Sequence, residues 1–440
     1  MNFFFSILIT ILLYSCSFDQ KSGIWKNENQ ISKKDSKIFE EFKNISFIQN
    51  QYKEIVKLDK NFQFNINKLV TNKSWEDEYF SKNNHLANFS YNNRNQLIFN
   101  SKKTTRHQIS ENIFFKKNKL ITSDKKGNII VFSIEDDKNL VKFNFYQNKY
   151  KKIDKILNII IDENKIYISD NLGFIYAYNY NENKIIWAKN YKIPFRSNIK
   201  IYQNKIILAN QNNTLFFVNK NNGEILRKIP TEDSSVKNKF KNNISLYENK
   251  IKFLNTYGSL YSLDVDTMRI RWFINLNKSL DINPSNLFMS NQLVIYNNKI
   301  FVPTQNNLYI LDFITGSTIF KHKFTSKYRP LIFKNVMYTI DNNFLIASDI
   351  NTGKIIFSYN INQKISDYLN IKRKSVDIKN FMFADNKIFV FLKNSYLIQF
   401  AVGGEILTVY KIPKKINSNP IFIEDKIIFI NNKNKINIIN

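Results

Sequence analysis

A unit of about 40 to 50 residues recurs along the chain from about residue 110 onward, and this repeat constrains the fold more than any other feature. Each unit has an apolar strand, an Asn-Lys turn, a β-branched strand and a turn with Gly or Asn. An aromatic and aliphatic strand, a turn similar to D-x-x-T-G and a short strand that often ends in Trp or Phe follow. The copies are residues 164–187, 204–226, 249–272, 298–320, 335–357 and 386–407, with a weaker copy at 118–143.

The spacing of the repeat indicates its architecture. Equivalent turn positions are separated by 40, 45, 48, 37 and 51 residues, and they are Asn183, Gly223, Met268, Gly316, Gly353 and Gly404. Alternating apolar residues punctuated by turns are typical of strands rather than helices. Because four-stranded propeller blades recur at this period, the repeat predicts an all-β propeller.

The C-terminal segment contains only part of a unit. Residues 419–440 supply three short strands, and a ring with an incomplete blade would leave open sheet edges. We therefore expect an eight-bladed propeller of four-stranded antiparallel blades over residues 67–440, closed by an N-terminal strand. Residues 70–80 are the predicted closing piece, with Trp75 at the blade-ending position. The aromatic residues expected to be buried between blades are Trp75, Trp187, Trp272, Phe320 and Phe357.

The N-terminus resembles a bacterial lipoprotein signal. Residues 3–13 form an apolar run that is too short to span a bilayer, which takes ~20 residues, and that suits a signal-peptide core. The run leads into Leu-Tyr-Ser-Cys16, which resembles a lipobox and predicts a signal peptide over 1–15 and a lipidated tether and extension over 16–66. Ser17 favours the outer membrane, on its periplasmic face, by resemblance to lipoprotein sorting. The alternative is a plain secretory signal with an incidental cysteine.

Charge and metal-ligand content exclude several classes. The net charge is +29, but basic residues are spread along the whole chain, so we interpret it as a compositional bias and predict no nucleic-acid partner. Cys16 is the single cysteine, which rules out an intramolecular disulfide. The three histidines show no metal-ligand spacing, so no metal and no cofactor are predicted.

The turn motif indicates a family. The segments Asp312–Gly316 and Asp349–Gly353 follow D-x-x-T-G closely, and the turn units ending at Trp187 and Trp272 keep the tryptophan of D-x-x-T-G-x-x-x-W. This repeat resembles the quinoprotein-type propeller repeat. Together with the lipobox, the tether and the blade number, the chain looks like the BamB family of outer-membrane assembly lipoproteins. Asn72-x-x-Trp75 followed by Asn84-His85 is similar to the alphaproteobacterial form.

The resemblance implies a non-catalytic scaffold. Such propellers bind the POTRA domains of the barrel-inserting (BamA-like) subunit and aid insertion of outer-membrane proteins, whose unfolded chains are a further expected partner. By family position, the contact surface comprises loops 230–243 and 277–290. Val236 and Phe240 are the expected apolar anchors, and Asp281 stands where the family has an acidic contact loop.

Two other functions remain open on the sequence. One is a quinoprotein dehydrogenase that holds pyrroloquinoline quinone and calcium on the same repeats. Against it, the chain lacks an adjacent cysteine pair, and turn capping explains the acidic pairs Asp136-Asp137 and Asp264/Asp266. The other is a periplasmic polysaccharide-binding propeller, which would need a ring of exposed aromatic side chains at the channel mouth.

Overall fold

The computed structural model describes residues 16–19, 24–27, 52–65, 68–147, 149–233, 240–277, 288, 290–372 and 375–440. The chain divides into two compact units, residues 1–51 and 52–440. In the first unit, strands Cys16–Asp19 and Ile24–Asn27 pair in antiparallel register. In the second unit, eight four-stranded antiparallel sheets follow one another, and this confirms the predicted eight-bladed propeller.

The blades are numbered here in chain order, and their strands A to D are given in sequence. Blade 1 comprises Phe114–Lys116, Lys119–Ser123, Asn128–Ser133 and Lys138–Asn144; blade 2, Leu157–Asp162, Lys165–Asp170, Phe174–Asn179 and Lys184–Asn190; blade 3, Lys200–Tyr202, Lys205–Ala209, Leu215–Asn219 and Ile225–Ile229; blade 4, Asn243–Tyr247, Lys250–Leu254, Ser259–Asp264 and Arg269–Asn275. Blade 5 comprises Val294–Tyr296, Lys299–Pro303, Leu308–Asp312 and Thr318–His322; blade 6, Leu331–Phe333, Val336–Asp341, Phe344–Asp349 and Ile355–Asn360; blade 7, Ile378–Ala384, Lys387–Leu392, Tyr396–Ala401 and Ile406–Lys411.

Blade 8 closes the ring with strands from both ends of the second unit. Ile421–Ile423, Lys426–Ile430 and Lys435–Ile439 supply strands A to C, and Leu97–Lys103 pairs with Lys435–Ile439 as strand D. Closure by an N-terminal strand is thus confirmed, but its assignment to residues 70–80 is wrong. Trp75 exchanges backbone hydrogen bonds with Phe115 in strand A of blade 1 instead, so it lies at the centre of the ring.

Burial follows the order of the strands within each blade. In blade 1, strand Asn128–Ser133 is buried along its whole length, whereas strand Lys138–Asn144 is mostly exposed. Strands B and C are apolar runs because neighbouring blades cover both of their faces.

The A–B hairpins explain the recurring asparagines. Lys117 and Asn118 both have positive φ, as two-residue hairpin turns require, and Asn tolerates that conformation well.

The aromatic residues of strand D pack on the glycine turn of the next blade. Trp187 lies over Gly223 and donates its Nε1–H to the Lys220 carbonyl at 3.0 Å. Trp272, Phe320 and Phe357 make the equivalent contacts with Gly316, Gly353 and Gly404. Trp187 and Phe357 are buried, and Trp272 and Phe320 are half-buried. The tryptophan and the glycine of the motif are therefore two halves of one interblade contact.

Two further segments, one helical and one extended, lie on the outer wall of the ring. Helix α1, Ile361–Leu369, follows blade 6 and is capped by the Asn360 side chain, which accepts from the Gln363 N–H. Residues 52–65 run along the outer edge of blade 6, where Val56 and Ser358 exchange backbone hydrogen bonds of 3.3 and 2.9 Å. Within the described part of the chain, no helix combines the length and apolar character that a bilayer crossing requires.

Candidate functional site

A segment of residues 70–95, here called the central plug, fills one end of the channel along the ring axis. It lies against strand A of every blade, at the position two residues before the A–B turn or next to it. The contacts are Trp75 with Phe115, Glu76 with Ile161, Asp77 with Lys200, Lys82 with Leu246, Asn83 with Ile295, His85 with Ile332, Phe89 with Phe383, and Asn72 with Phe422. In every blade except blade 3, where two side chains meet, the plug bonds to a backbone group of the inward-facing edge that would otherwise be unpaired.

The plug holds a buried ion pair. Lys200 Nζ lies 2.7 and 2.9 Å from the two carboxylate oxygens of Asp77 and also donates to the Ser81 carbonyl at 2.9 Å. The Lys200 side chain is fully buried. Burial raises the pKa of the Asp77 carboxyl, and the neighbouring ammonium of Lys200 opposes this shift. Because every donor of the Lys200 ammonium is hydrogen-bonded, this ion pair holds the plug in one register and does not form a reactive group.

Three further side chains connect the plug to the surrounding blades. The Asn84 side chain donates to the carbonyls of Ile244 and Leu293 at 3.1 and 3.0 Å, bridging blade 4 and the segment entering blade 5. His85 Nε2 lies 2.6 Å from the Ile332 carbonyl, and burial lowers the pKa of this histidine to about 4. The Arg329 guanidinium donates to the carbonyls of Tyr79 and Asn84. These groups serve to anchor the plug.

A cavity of about 200 Å³ lies beneath the plug, at the end of the channel formed by the D–A loops. Quinoprotein-type propellers hold calcium and pyrroloquinoline quinone, so the side chains that line this cavity are compared with the ligands that calcium requires. Calcium takes six to eight oxygen ligands. The carboxylates Glu78 and Glu111 line this cavity, but each is paired with a lysine, Lys241 or Lys379. In the described residues no group of three His, Cys, Asp or Glu side chains could hold a metal ion, so the donors do not fit calcium.

The two loops expected to contact a partner lie on the D–A face of the ring, and their last residues are bonded to each other. Asn243, at the end of loop 230–243, donates its side-chain amide to Ser290 Oγ at 3.0 Å, and Ser290 ends loop 277–290. Leu276, just before the second loop, and Phe288, near its end, have buried side chains. The bases of both loops therefore form one continuous surface between blades 3 and 5.

The start of the first loop is held by a carboxylate that the sequence analysis missed. Glu232 accepts hydrogen bonds from Asn255, Ser259 and Tyr261, at 3.1, 3.1 and 2.5 Å, and these bonds lower its pKa against the effect of burial. No motif marks Glu232, because its partners lie more than 20 residues away in the next blade. Phe240 is half-buried at the other end of this loop. Val236 and Asp281 lie outside the described residues, as does the side chain of Cys16.

The fold and the plugged channel define a class. The molecule is a propeller of quinoprotein-type repeats. Its own residues 70–95 fill one end of the channel, and a cavity remains at the end formed by the D–A loops. The family model described as outer membrane protein assembly factor BamB matches residues 111–359, which is more than half of the chain. The chain therefore belongs to the BamB family, and the resemblance seen in the turn motif is confirmed.

Solved structures share the fold at low sequence identity. BamB from Moraxella catarrhalis is 13% identical, with a TM-score of 0.60, and the alignment covers 78% of this chain and 99% of that one. A europium-containing methanol dehydrogenase is 10% identical over 83% and 89% of the two chains, with a TM-score of 0.61. Quinohemoprotein alcohol dehydrogenase from Comamonas testosteroni is 10% identical over 81% and 76%, with a TM-score of 0.57. No curated protein matches the chain by sequence.

Proposed function

We propose that this protein is a non-catalytic scaffold subunit of the outer-membrane β-barrel assembly machinery. In this role it binds the POTRA-bearing barrel subunit and aids insertion of outer-membrane proteins. The observation that carries the proposal is the family match over residues 111–359. The protein would reach the periplasmic face of the outer membrane with a signal peptide over 1–15 and a lipid on Cys16. Residues 16–66 would connect the lipid to the propeller of residues 67–440.

The geometry of the D–A face supports the proposed contact surface. Loops 230–243 and 277–290 meet through the bond between Asn243 and Ser290, so one partner domain can touch both at once. The Glu232 network fixes the base of the first loop, and a fixed base lowers the entropy that is lost on binding. Val236 and Phe240 would supply apolar contacts, and Asp281 would supply a charged one.

A pull-down from detergent-solubilised outer membranes tests the proposal. The lipidated full chain should recover a large barrel protein with POTRA domains, identified by mass spectrometry. The variant Val236→Asp/Phe240→Ala should lose at least ten-fold of this recovery, because truncating a central apolar anchor typically costs 1 to 2 kcal/mol or more. Asp281→Lys should weaken recovery in a salt-dependent way.

The matched control places the same kind of change elsewhere. Ile314 is exposed in a C–D turn on the opposite face, so Ile314→Asp should leave recovery unchanged. Thermal unfolding of each variant must match that of the wild type, so that lost recovery reports on the surface and not on folding. Undiminished recovery by folded variants of both loops would refute this assignment of the surface. Failure of the wild type to recover any POTRA protein would refute the proposed role.

A further inference from the structure

The D–A face of the ring carries a second surface, on the sector formed by blades 8, 1 and 2. Its basic residues come from segments that are far apart in sequence but bonded together. The Asn434 side chain donates to the carbonyls of Thr105 and His107 at 3.0 and 2.7 Å, and the backbone N–H of Lys125 donates to the Gln108 carbonyl at 2.9 Å. The exposed basic residues of this sector, here called the basic sector, are Lys102, Lys103, Arg106, Lys125, Lys142, Lys149, Lys151, Lys152, Lys414, Lys415 and Lys433.

Acidic residues are few in the basic sector, and the exposed Glu111 in the connection between blades 8 and 1 is paired with Lys379 at 2.8 Å. Segments 101–107, 411–419 and 431–435 contain none. Of the two carboxylates in 124–127 and 142–156, Asp124 is buried and bonded to Asn128, and Asp154 lies 3.4 Å from Lys126. The turns of the opposite face, by contrast, contain many acidic residues, including Glu135, Asp136, Asp162, Glu163, Glu182, Asp385, Glu424 and Asp425. A uniform excess of lysine does not produce this asymmetry.

Two recesses in the basic sector have the chemistry of anion sites. One, of about 480 Å³, is lined by Lys103, Arg106, His107 and Lys142 together with two threonines. The other, of about 500 Å³, shares His107 and is lined by Lys126 and Lys151 with Asn144, Tyr146 and Gln147. Neither recess includes a carboxylate in its lining. The threonine hydroxyls, the Asn144 amide and the Tyr146 hydroxyl donate to neighbouring protein groups, so the lysine and arginine side chains are the groups that suit a phosphate in these open recesses.

Beside the recesses, loop 149–156 presents apolar side chains among its lysines. Tyr150, Ile153 and Ile156 are 43%, 44% and 58% exposed. The loop is held in shape from inside, because the buried Lys155 ammonium donates to the Tyr150 and Ile153 carbonyls. Exposed isoleucines gain nothing from a nucleic-acid backbone, whereas aliphatic and aromatic residues flanked by lysines are typical of surfaces that bind at a lipid interface.

We infer that the basic sector binds the surface of an anionic lipid bilayer, with headgroup phosphates in the two recesses and Tyr150, Ile153 and Ile156 at the acyl boundary. The proposed lipid on Cys16 would bring the protein to a membrane, but this contact is independent of it and would set the orientation of the ring. The D–A face, with its loops 230–243 and 277–290, would then be turned toward the bilayer.

Vesicle flotation with the full chain carrying Cys16→Ser tests the inference. Vesicles of phosphatidylcholine are compared with vesicles that also contain phosphatidylglycerol, and any contribution of apolar residues 3–13 does not depend on lipid charge. Binding should increase with the phosphatidylglycerol content and fall with added salt. The variant Arg106→Gln/Lys142→Gln/Lys151→Gln should bind the anionic vesicles roughly a hundred-fold more weakly, since each cation near the surface contributes about five-fold.

The control removes the same charge from the opposite face. Lys138 and Lys184, at the start of strand D in blades 1 and 2, and Lys354, just before strand D of blade 6, are exposed, and their triple change to Gln should retain most of the binding. Equal losses for the two triple variants would overturn the inference, because net charge alone would then explain binding. Binding of double-stranded DNA in preference to the anionic vesicles would also overturn it, as would full binding by Ile153→Ser/Ile156→Ser. Recovery of the POTRA protein by the basic-sector variant separates this test from that of the proposed function.

Discussion

Replacing Gly223 with alanine should destabilise the ring through two separate effects at one interblade contact. Gly223 has φ of +74°, a left-handed conformation that costs an L residue roughly 1 to 2 kcal/mol. An added Cβ would lie 2.5 Å from Trp187 Cε3, which is far inside van der Waals contact. Overpacking of this kind costs about 1 to 3 kcal/mol, so we expect a total loss of about 2 to 5 kcal/mol.

The tryptophan on the other side of this contact allows the two effects to be separated. Trp187→Ala alone should cost about 3 to 5 kcal/mol, because it empties a buried site and breaks the bond to the Lys220 carbonyl. In the double variant Gly223→Ala/Trp187→Ala the added methyl group no longer meets the ring. The double loss should therefore be smaller than the sum of the single losses by about 1 to 3 kcal/mol, the overpacking part.

Urea unfolding followed by tryptophan fluorescence and by circular dichroism gives the four free energies of this cycle. Gly403→Ala is the control, since Gly403 is adjacent in sequence to a motif glycine but its added Cβ would meet mainly the flexible end of the Glu405 side chain. This control should lose less than about 1 kcal/mol. Strict additivity in the cycle would show that Trp187 and Gly223 do not form one contact, and the assignment of the motif as an interblade joint would be wrong.

Three further perturbations act on the plug and on the outer wall. Asp77→Asn should cost about 3 to 5 kcal/mol in urea unfolding because it leaves the Lys200 ammonium buried without its counter-charge, whereas Asp77→Leu combined with Lys200→Met should cost less; an equal cost would contradict a buried pair. Because burial lowers the folded-state pKa of His85 from 6.5 to about 4, the unfolded chain takes up a proton first, and stability should decrease as the pH falls from 6.5 to 4. His85→Gln should lessen this slope, and an unchanged slope would exclude the histidine as its source. Val56→Pro removes the N–H that donates to the Ser358 carbonyl, so trypsin should cleave residues 52–65 faster while thermal unfolding of the ring changes little; unchanged cleavage would contradict docking of this segment as an added strand.

The architecture could be predicted from the sequence because the features that define the repeat depend on residues that are close in sequence. Asn-Lys hairpins, apolar strands and the Gly turn with its tryptophan each act within a single blade or between consecutive blades. This explains why blade number and strand order could be predicted. Closure by an N-terminal strand followed from the three strands at residues 419–440, since a ring avoids open edges.

The identity of the closing strand could not be read from the same signals. Residues 70–80 contain Trp75 and resemble the end of a blade in sequence, but the matching feature there is a single aromatic residue. Leu97–Lys103 has the alternation of an outer strand, with Leu97 and Phe99 half-buried and Ile98 exposed. The two segments differ in their partners. Residues 70–80 contact strand A of several blades, and these blades surround the plug only after the chain has folded.

The candidate surfaces were predictable to different degrees. The two loops proposed to contact a partner follow from family position, and the structure adds the bond between Asn243 and Ser290 that joins their bases. The basic sector has no sequence signature, because its lysines come from five separated segments in a chain where lysine is common throughout. Only the placement of the acidic residues on the opposite face distinguishes it from the compositional bias.

The way in which blade 8 is assembled has a consequence for the order in which the chain folds. Phe99 pairs with Ile438, so strand Leu97–Lys103, the first propeller strand to be synthesised, cannot pair until the last strand, Lys435–Ile439, has been made. The plug behaves in the same way, since it needs all eight blades around it. High sequence separation between paired strands slows folding, and until synthesis is complete the chain exposes open edges. Such a protein should depend on chaperones, and loss of a few C-terminal residues should do more damage than a substitution within any single blade.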